Sequence, residues 1–222
     1  MIPSDGTWLL LQLADSAFPT GGFAHSSGIE AAAQLGMIRD QPSLTRWLTG
    51  LADQAGRLLL PYAAAAWDDT ERWPEIDQRC DAQTANLVAN RASRAQGQAL
   101  LHAAAALAPA IEAAKRELRR KSLPGHAAPA AGLVYRHLGC TRDDALRLVL
   151  FTNVRGWISA AVRLGLIGPL AAQAMQRQLD PALDAALADG RQRPLDQAAA
   201  SMPWADLAQG HHDRLYSRLF AS

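Results

Sequence analysis

Strand-forming side chains are scarce in this chain: Val and Ile together number only 12 of 222 residues. Ala, Leu and Arg dominate instead. β-branched residues suit a pleated surface, whereas Ala and straight-chain residues lose little freedom in a helix. Composition therefore points to an all-α fold, and periodicity agrees. Leu44, Trp47, Leu48 and Leu51 recur at i, i+3, i+4 and i+7, the spacing of a helix with one buried face. That helix runs on through Leu58, Leu59 and Leu60, with a kink or break expected near Pro61.

Punctuation along the chain predicts the remaining elements. Pro74 marks the start of a long helix to about Leu107, and Pro109 opens another that closes on Lys115, Arg116, Arg119, Arg120 and Lys121. Cations there complement the negative end of the helix dipole. Leu123-Pro124-Gly125-His126 is a loop, and a short helix follows over 130–138. Thr141 and Asp144 read as a loose capping box that opens a helix over 142–166. Its stripe of Leu146, Val149, Leu150, Val154, Trp157, Ile158, Ala161 and Leu164 is apolar enough for the central helix of the domain. A last long helix is expected over 170–187, bent at Pro181. The result is one compact all-helical domain of eight to ten helices over residues 1–209. Residues 210–222 form a separate C-terminal tail.

Bulk properties exclude several function classes. The formal net charge is +1 and charged residues are 19% of the chain, which does not suit a nucleic-acid binder. Hydrophobic residues make up 49%, more than a monomer needs to hide, and this hints at a homo-oligomer. Two cysteines, Cys80 and Cys140, are too few for a disulfide framework and read as buried thiols. The N-terminus lacks the basic and small-residue features of a secretory signal. No apolar run reaches the ~20 residues of a membrane span. A cytoplasmic location is expected.

Catalytic and metal chemistry find little purchase. The phosphate-loop pattern G-x-x-x-x-G-K-[ST] is missing, as are G-x-S-x-G, H-E-x-x-H and C-x-x-C. His25, Ser26 and Ser27 are adjacent, and adjacent residues on a helix face different ways; a hydroxyl there reads as a cap for the helix that follows. His137 and Cys140 straddle an expected helix end at Gly139, His211 and His212 diverge, and four ligands at consistent spacing are not found. No cofactor is expected. Among six Trp, Trp47 and Trp157 sit in apolar stripes, whereas Trp67, Trp73 and Trp204 flank breaks and are candidates for an interface.

What remains is surface for partners. The stretch from Leu11 to Asp40 opens as an apolar helix, breaks at Phe18-Pro19-Thr20-Gly21-Gly22 and restarts through Gly28-Ile29-Glu30. Pro fixes φ and Gly permits φ > 0, so this is strong punctuation. The tail carries Arg214, Leu215, Tyr216, Arg218, Leu219 and Phe220. So apolar a terminus must either fold back on its own chain or order on a partner, and spacing suggests one face of a short helix that orders only against a partner.

Three blocks carry a family resemblance. Asp15, Ser16, Pro19, Gly21, Gly22, Phe23, Ser26, Gly28 and Glu30 fit a D-S-x-x-P-x-G-G-F-x-x-S core followed by G-[LI]-E. Asn153, Gly156 and the run Ser159 to Leu164 fit an S-A-A-V-[RK]-L helix, though Pro169 stands where relatives have Gln. Tyr216, Ser217, Arg218, Leu219, Phe220 and Ser222 fit a Y-S-R-L-F-x-S ending. The chain thus resembles the UreF family of urease accessory proteins over essentially its whole length. The resemblance implies a non-catalytic homodimer that binds UreD (also called UreH) and with it recruits the GTPase UreG to apo-urease. GTP hydrolysis is then coupled to nickel delivery into the enzyme. Candidate partner-binding residues are Pro19, Gly21, Gly22, Phe23, His25, Ser26, Glu30, Arg163, Arg214, Tyr216, Arg218, Leu219 and Phe220. Two rival classes stay open: a hydrolase or lyase using His25 and Glu30, and a GTPase-activating protein whose arginine finger is Arg155 or Arg163.

Overall fold

A computed structural model of the chain describes residues 6–222. Among these residues there is no strand; the segments are α1 (Thr7–Ala14), α2 (Ile29–Gln34), α3 (Gln41–Gln54), α4 (Leu60–Asp68), α5 (Trp73–Gln83), α6 (Leu87–Ala104), α7 (Pro109–Lys121), α8 (Ala127–His137), α9 (Arg142–Arg163), α10 (Pro169–Gln178), α11 (Asp180–Gln192) and α12 (Pro203–His211). The fold is all-α. A π turn, Ala55–Leu59, joins α3 and α4 into one rod, so the twelve segments make eleven rods, one above the expected range.

Local chemistry explains where the helices differ from their periodicity. Pro61 cannot donate to the carbonyl four residues back and its ring crowds that carbonyl. The chain answers with the π turn rather than a break, and the freed Arg57 oxygen accepts the Ala199 amide at 3.1 Å. The single helix expected from Pro74 to Leu107 is two. Asn86 Oδ1 accepts from the Val88 and Ala89 amides at 3.0 and 3.2 Å, an N-cap strong enough to start α6 afresh. At the other expected bend, Pro181 sits in the first turn of α11 and divides it from α10. The Thr141 cap is present, with its side chain accepting the Asp144 amide at 3.1 Å.

The core is assembled around α4, α8 and α9. The α9 stripe from Leu146 to Ala161 is buried, but α8 is the more enclosed helix, with Ala128 through Tyr135 all buried. Its small residues let α4 lie against it backbone to backbone. A Cβ on Gly132 would collide with the Ala63 carbonyl and stand 3.0 Å from the Trp67 amide nitrogen. Trp73 is a correction: it is 1% exposed and belongs to this core rather than to an interface. Trp67 is partly buried; its Nε1–H donates to the Cys140 carbonyl at 3.2 Å and Arg136 stacks 4.3 Å over its ring. Cys80 and Cys140 are free and buried, and burial pushes their thiols up to about 12 and about 11.

The start of α8 is held by a buried polar staple. Both Asp77 oxygens accept amides, from Gly125 and His126, at 2.7 Å each. His126 Nε2–H donates to Asp81 at 3.0 Å, and its Nδ1 meets Ser93 Oγ at 3.0 Å. Ser93 Oγ also accepts the Ala127 amide at 3.2 Å. This Ser-His-Asp set resembles a nucleophile arrangement on paper. Its hydroxyl, however, satisfies one of the orphan amides at the start of α8, a capping role.

The backbone approach at Gly132 yields a direct test. Gly132→Ala should destabilise by about 2–3 kcal/mol, because a methyl group there has only backbone to displace. Gly156→Ala in α9 has nothing within 4 Å of the new Cβ and should stabilise by about 0.5–1 kcal/mol through helix propensity. Urea denaturation of the two variants beside the parent measures both.

Candidate partner-binding site

The C-terminal tail meets the segment around α2 at one buried carboxylate. Glu30 lies in the first turn of α2, 2% exposed, in an otherwise apolar stretch of Ile29, Ala31 and Ala32. A charge so placed must be fully hydrogen-bonded to persist. Glu30 Oε1 accepts the Leu219 amide at 2.6 Å. Its Oε2 accepts the Phe220 amide at 3.2 Å and His212 Nε2–H at 3.1 Å. His212 is wholly buried just beyond α12, and its Nδ1 has no hydrogen-bond partner.

Around that hub the tail lies beside residues 24–26. The Ala221 amide donates to the Ala24 carbonyl at 2.8 Å, and the Ser26 amide donates to Ser222 O at 2.7 Å. Ser26 Oγ donates to the same oxygen at 3.0 Å, while His25 Nδ1 and Ser222 Oγ share a hydrogen bond of 2.7 Å. Farther out, Gln34 Nε2–H donates to the Ser217 carbonyl at 3.0 Å. Asp213 pairs with Arg91 at 2.8 Å and Arg218 at 3.5 Å.

Arg163, at the end of α9, supplies the second tie. Its guanidinium lies between two rings, 3.8 Å from the Phe23 centroid and 4.2 Å from that of Phe220. Nη1–H also donates to the Phe23 carbonyl at 2.5 Å. Cation–π contacts of this kind are worth about 0.5–2 kcal/mol each. Phe220 is buried beneath, whereas Phe23 is 70% exposed, Leu219 is 52% exposed and Tyr216 stands fully in solvent. Arg214 and Arg218 are exposed as well.

Phe23, His25, Ser26, Glu30, Arg163, Leu219 and Phe220 therefore converge, though the hydrogen bonds that tie this region together span up to 197 residues of sequence. Pro19, Gly21 and Gly22 shape the approach: Gly21 is left-handed at φ +72° and precedes the 3-10 turn Gly22–Ala24. Three expectations change. The α2 N-cap is Gly28 with no side-chain cap, because the Ser26 hydroxyl goes to Ser222 instead. Past a 3-10 turn, His212–Arg214, the tail is irregular rather than helical. The expected boundary at 209/210 falls within α12, and the tail lies folded back on its own chain. His212, Asp213 and Ser222 are the members that sequence reasoning missed; the one signal for His212 was an acid, Glu30, lacking any nearby cation in its own apolar segment.

The geometry gives His25 and Glu30 separate partners. Both Glu30 oxygens are occupied by the tail and His212, and His25 is bonded to Ser222. Among the described residues no three His, Cys, Asp or Glu side chains are grouped to hold a metal ion. Among the described residues no helix is long and apolar enough to cross a membrane.

Two measurements test this construction. Gly21→Val forces a β-branched side chain into φ > 0 and should lower stability by about 1–3 kcal/mol, while Gly22→Val, at ordinary φ with no neighbour closer than 3.7 Å, should change it far less. Burial above all, then Arg91 and His212, holds the His25 imidazole below its usual 6.5. The folded chain thus resists a proton that the unfolded chain accepts. This contribution to stability is complete above pH 6.5 and is lost as pH falls from there toward the folded value. The urea midpoint should fall as pH drops below about 6.5, and His25→Gln should flatten that dependence.

Comparison with known proteins places these features in a family. The UreF family model matches residues 38–180. The chain is 36% identical over 222 residues to urease accessory protein F of Oryza sativa subsp. indica, covering 97% of this chain and 85% of that protein. It is 36% identical over 221 residues to urease accessory protein F of Arabidopsis thaliana, covering 97% and 92%. A bacterial relative, urease accessory protein UreF of Paenarthrobacter aurescens, is 32% identical over 219 residues, 96% of each chain. With one family model over most of its length and relatives aligned nearly end to end, the chain belongs to the UreF family of urease accessory proteins.

Proposed function

We propose that this chain acts in urease maturation as a non-catalytic, homodimeric adaptor in the cytoplasm. In this reading it binds UreD (UreH), and together they recruit the GTPase UreG to apo-urease so that nickel, the cargo, reaches the enzyme. One observation carries the reading for this chain. Two distant segments leave aromatic, apolar and arginine side chains exposed, Phe23 in one and Arg214, Tyr216, Arg218 and Leu219 in the tail, while the polar atoms of the hub that joins them are turned inward. Aromatic and arginine side chains on a rigid support are the composition of an interface hot spot. The hub itself offers a substrate nothing. The tail is the part proposed to respond to a partner, through residues 214–219, whose side chains mostly face outward.

The arginine-finger alternative draws less support. Arg163 is fixed in place by two rings and a carbonyl and Arg155 by the Ala14 carbonyl and the nearby Phe151 ring, so neither is extended to reach into another protein's nucleotide site.

The test separates surface from support. Tyr216→Ala removes a side chain that touches only solvent, so thermal stability should stay within error. Capture of purified UreD should still weaken by about tenfold or more, the effect of a hot-spot truncation. Phe220→Ala should reduce both stability and capture. Full-yield capture by Tyr216→Ala and by a chain ending at Arg214 would overturn the assignment of this surface.

A further inference from the structure

Between Ala145 and Leu179 the chain carries Arg147, Arg155, Arg163 and Arg177 and not a single Asp or Glu. In a protein of net charge +1 with 22 basic and 21 acidic residues, that is a marked segregation. The two outer arginines are neutralised at the ends of the segment: Arg147 pairs with Asp143 at 2.9 Å and Arg177 with Asp180 at 2.5 Å. The two inner ones are not. Arg155 and Arg163 have carbonyl and ring partners, and among the described residues neither meets a carboxylate within ion-pair distance.

These inner arginines line an open groove of about 390 Å³ between the outer face of α9 and α10. Phe23 forms one end; Ser159, Gln173 and Gln176 add hydroxyl and amide groups, and Ile158 and Val162 give it an apolar floor. No acidic residue is among its lining. The groove lies open to solvent along its length, so it suits a segment laid across it rather than a small molecule that must be mostly enclosed. Two unneutralised guanidinium groups beside an apolar floor call for carboxylates flanking an apolar side chain.

We propose that the α9–α10 groove is a second docking surface, distinct from the tail, and that it receives an acidic segment of a partner protein. Its carboxylates would face Arg155 and Arg163, and an apolar side chain would fill the floor between them. The proposal rests on the accessory role above, since it takes the partner from the proteins of urease assembly. Occupancy by a second copy of this chain is an alternative that the test resolves.

The test uses the full chain with purified UreD, UreG and apo-urease, each titrated separately at low and at higher salt. At least one should bind with an affinity that falls steeply with ionic strength. Gln173→Glu/Gln176→Glu places acid on one exposed and one half-buried position outside the apolar core, so folding should be intact by thermal melt. It should weaken that one partner by about tenfold or more through like-charge repulsion, and Gln173→Lys should strengthen it. Arg147→Glu, paired off the groove, should change affinity little. If all three partners bind the double variant as they bind the parent, the groove proposal fails while the accessory reading stands. Loss of binding that is insensitive to salt also overturns it, since charge would not be the cause. If the double variant instead shifts the chain from dimer to monomer by light scattering, the occupant is a second copy and the proposal fails. If none of the three proteins binds the parent, the accessory reading fails and the groove assignment with it.

Discussion

A single buried carboxylate decides how the C-terminal tail is joined to the segment around α2. Glu30 sits at 2% exposure in the first turn of a six-residue helix, where an uncompensated charge is strongly destabilising, at about 3–5 kcal/mol when a partner is removed. Its oxygens accept two consecutive amides of the tail and an imidazole. That specificity of geometry does what apolar burial alone could not. Phe220 contributes roughly 1.5–3 kcal/mol by burial, but burial has no direction, and a short irregular segment could satisfy it in several registers. Two adjacent amides on one carboxylate admit a single register. The same register then sets Ser222 against Ser26 and the Phe220 ring against Arg163.

The support for that junction comes from close backbone approaches deeper in the domain. Gly132 brings α8 onto α4, and Gly97 lets the 123–127 loop reach α6, where a Cβ would overlap Gly125 and His126. Once the loop is there, Asp77 takes its two amides and His126 bridges to Asp81 and Ser93. Burial pushes the Asp77 carboxyl up, against the effect of its two amide donors. Hydrogen bonds from Asn90 and His126 hold that of Asp81 down. Unlike environments for two carboxylates four residues apart can look catalytic. Here they follow from one being the enclosed anchor of a helix start and the other its solvent-facing brace.

Much of the helical order could be read from residue pattern, and the failures have local causes. The Leu44-to-Leu51 stripe, the Pro109 start, the Thr141 cap and the α9 stripe all depend on neighbours within two turns, which a linear reading sees. The break at Asn86 is hidden from pattern because Asn in a helical run is ambiguous until its side chain is known to cap; at Pro61 pattern leaves a kink or a break open, and the π turn that resolves it has no pattern of its own. Trp73 looked peripheral beside Pro74, yet a residue in the first turn of a helix can point straight into the core, as this one does. Small residues misled in the other direction. The alanines and glycine of α8 look weakly apolar, but they permit the tightest packing in the domain.

The candidate site was legible as a set of residues and illegible as a construction. Motif blocks at the beginning, middle and end of the chain named Phe23, Glu30, Arg163 and Phe220, and the structure brings those four to one place. The family model itself spans residues 38–180 and so stops short of both the loop and the tail that form the hub. What pattern could not supply was polarity of role. Pattern marks Glu30 and Arg163 only as candidate contacts for a partner. Contacts across 140 to 190 residues make the acid an internal anchor and the arginine a spacer between two rings. A side chain's charge is written in the sequence; whether it faces solvent or its own backbone is decided by where the other end of the chain arrives.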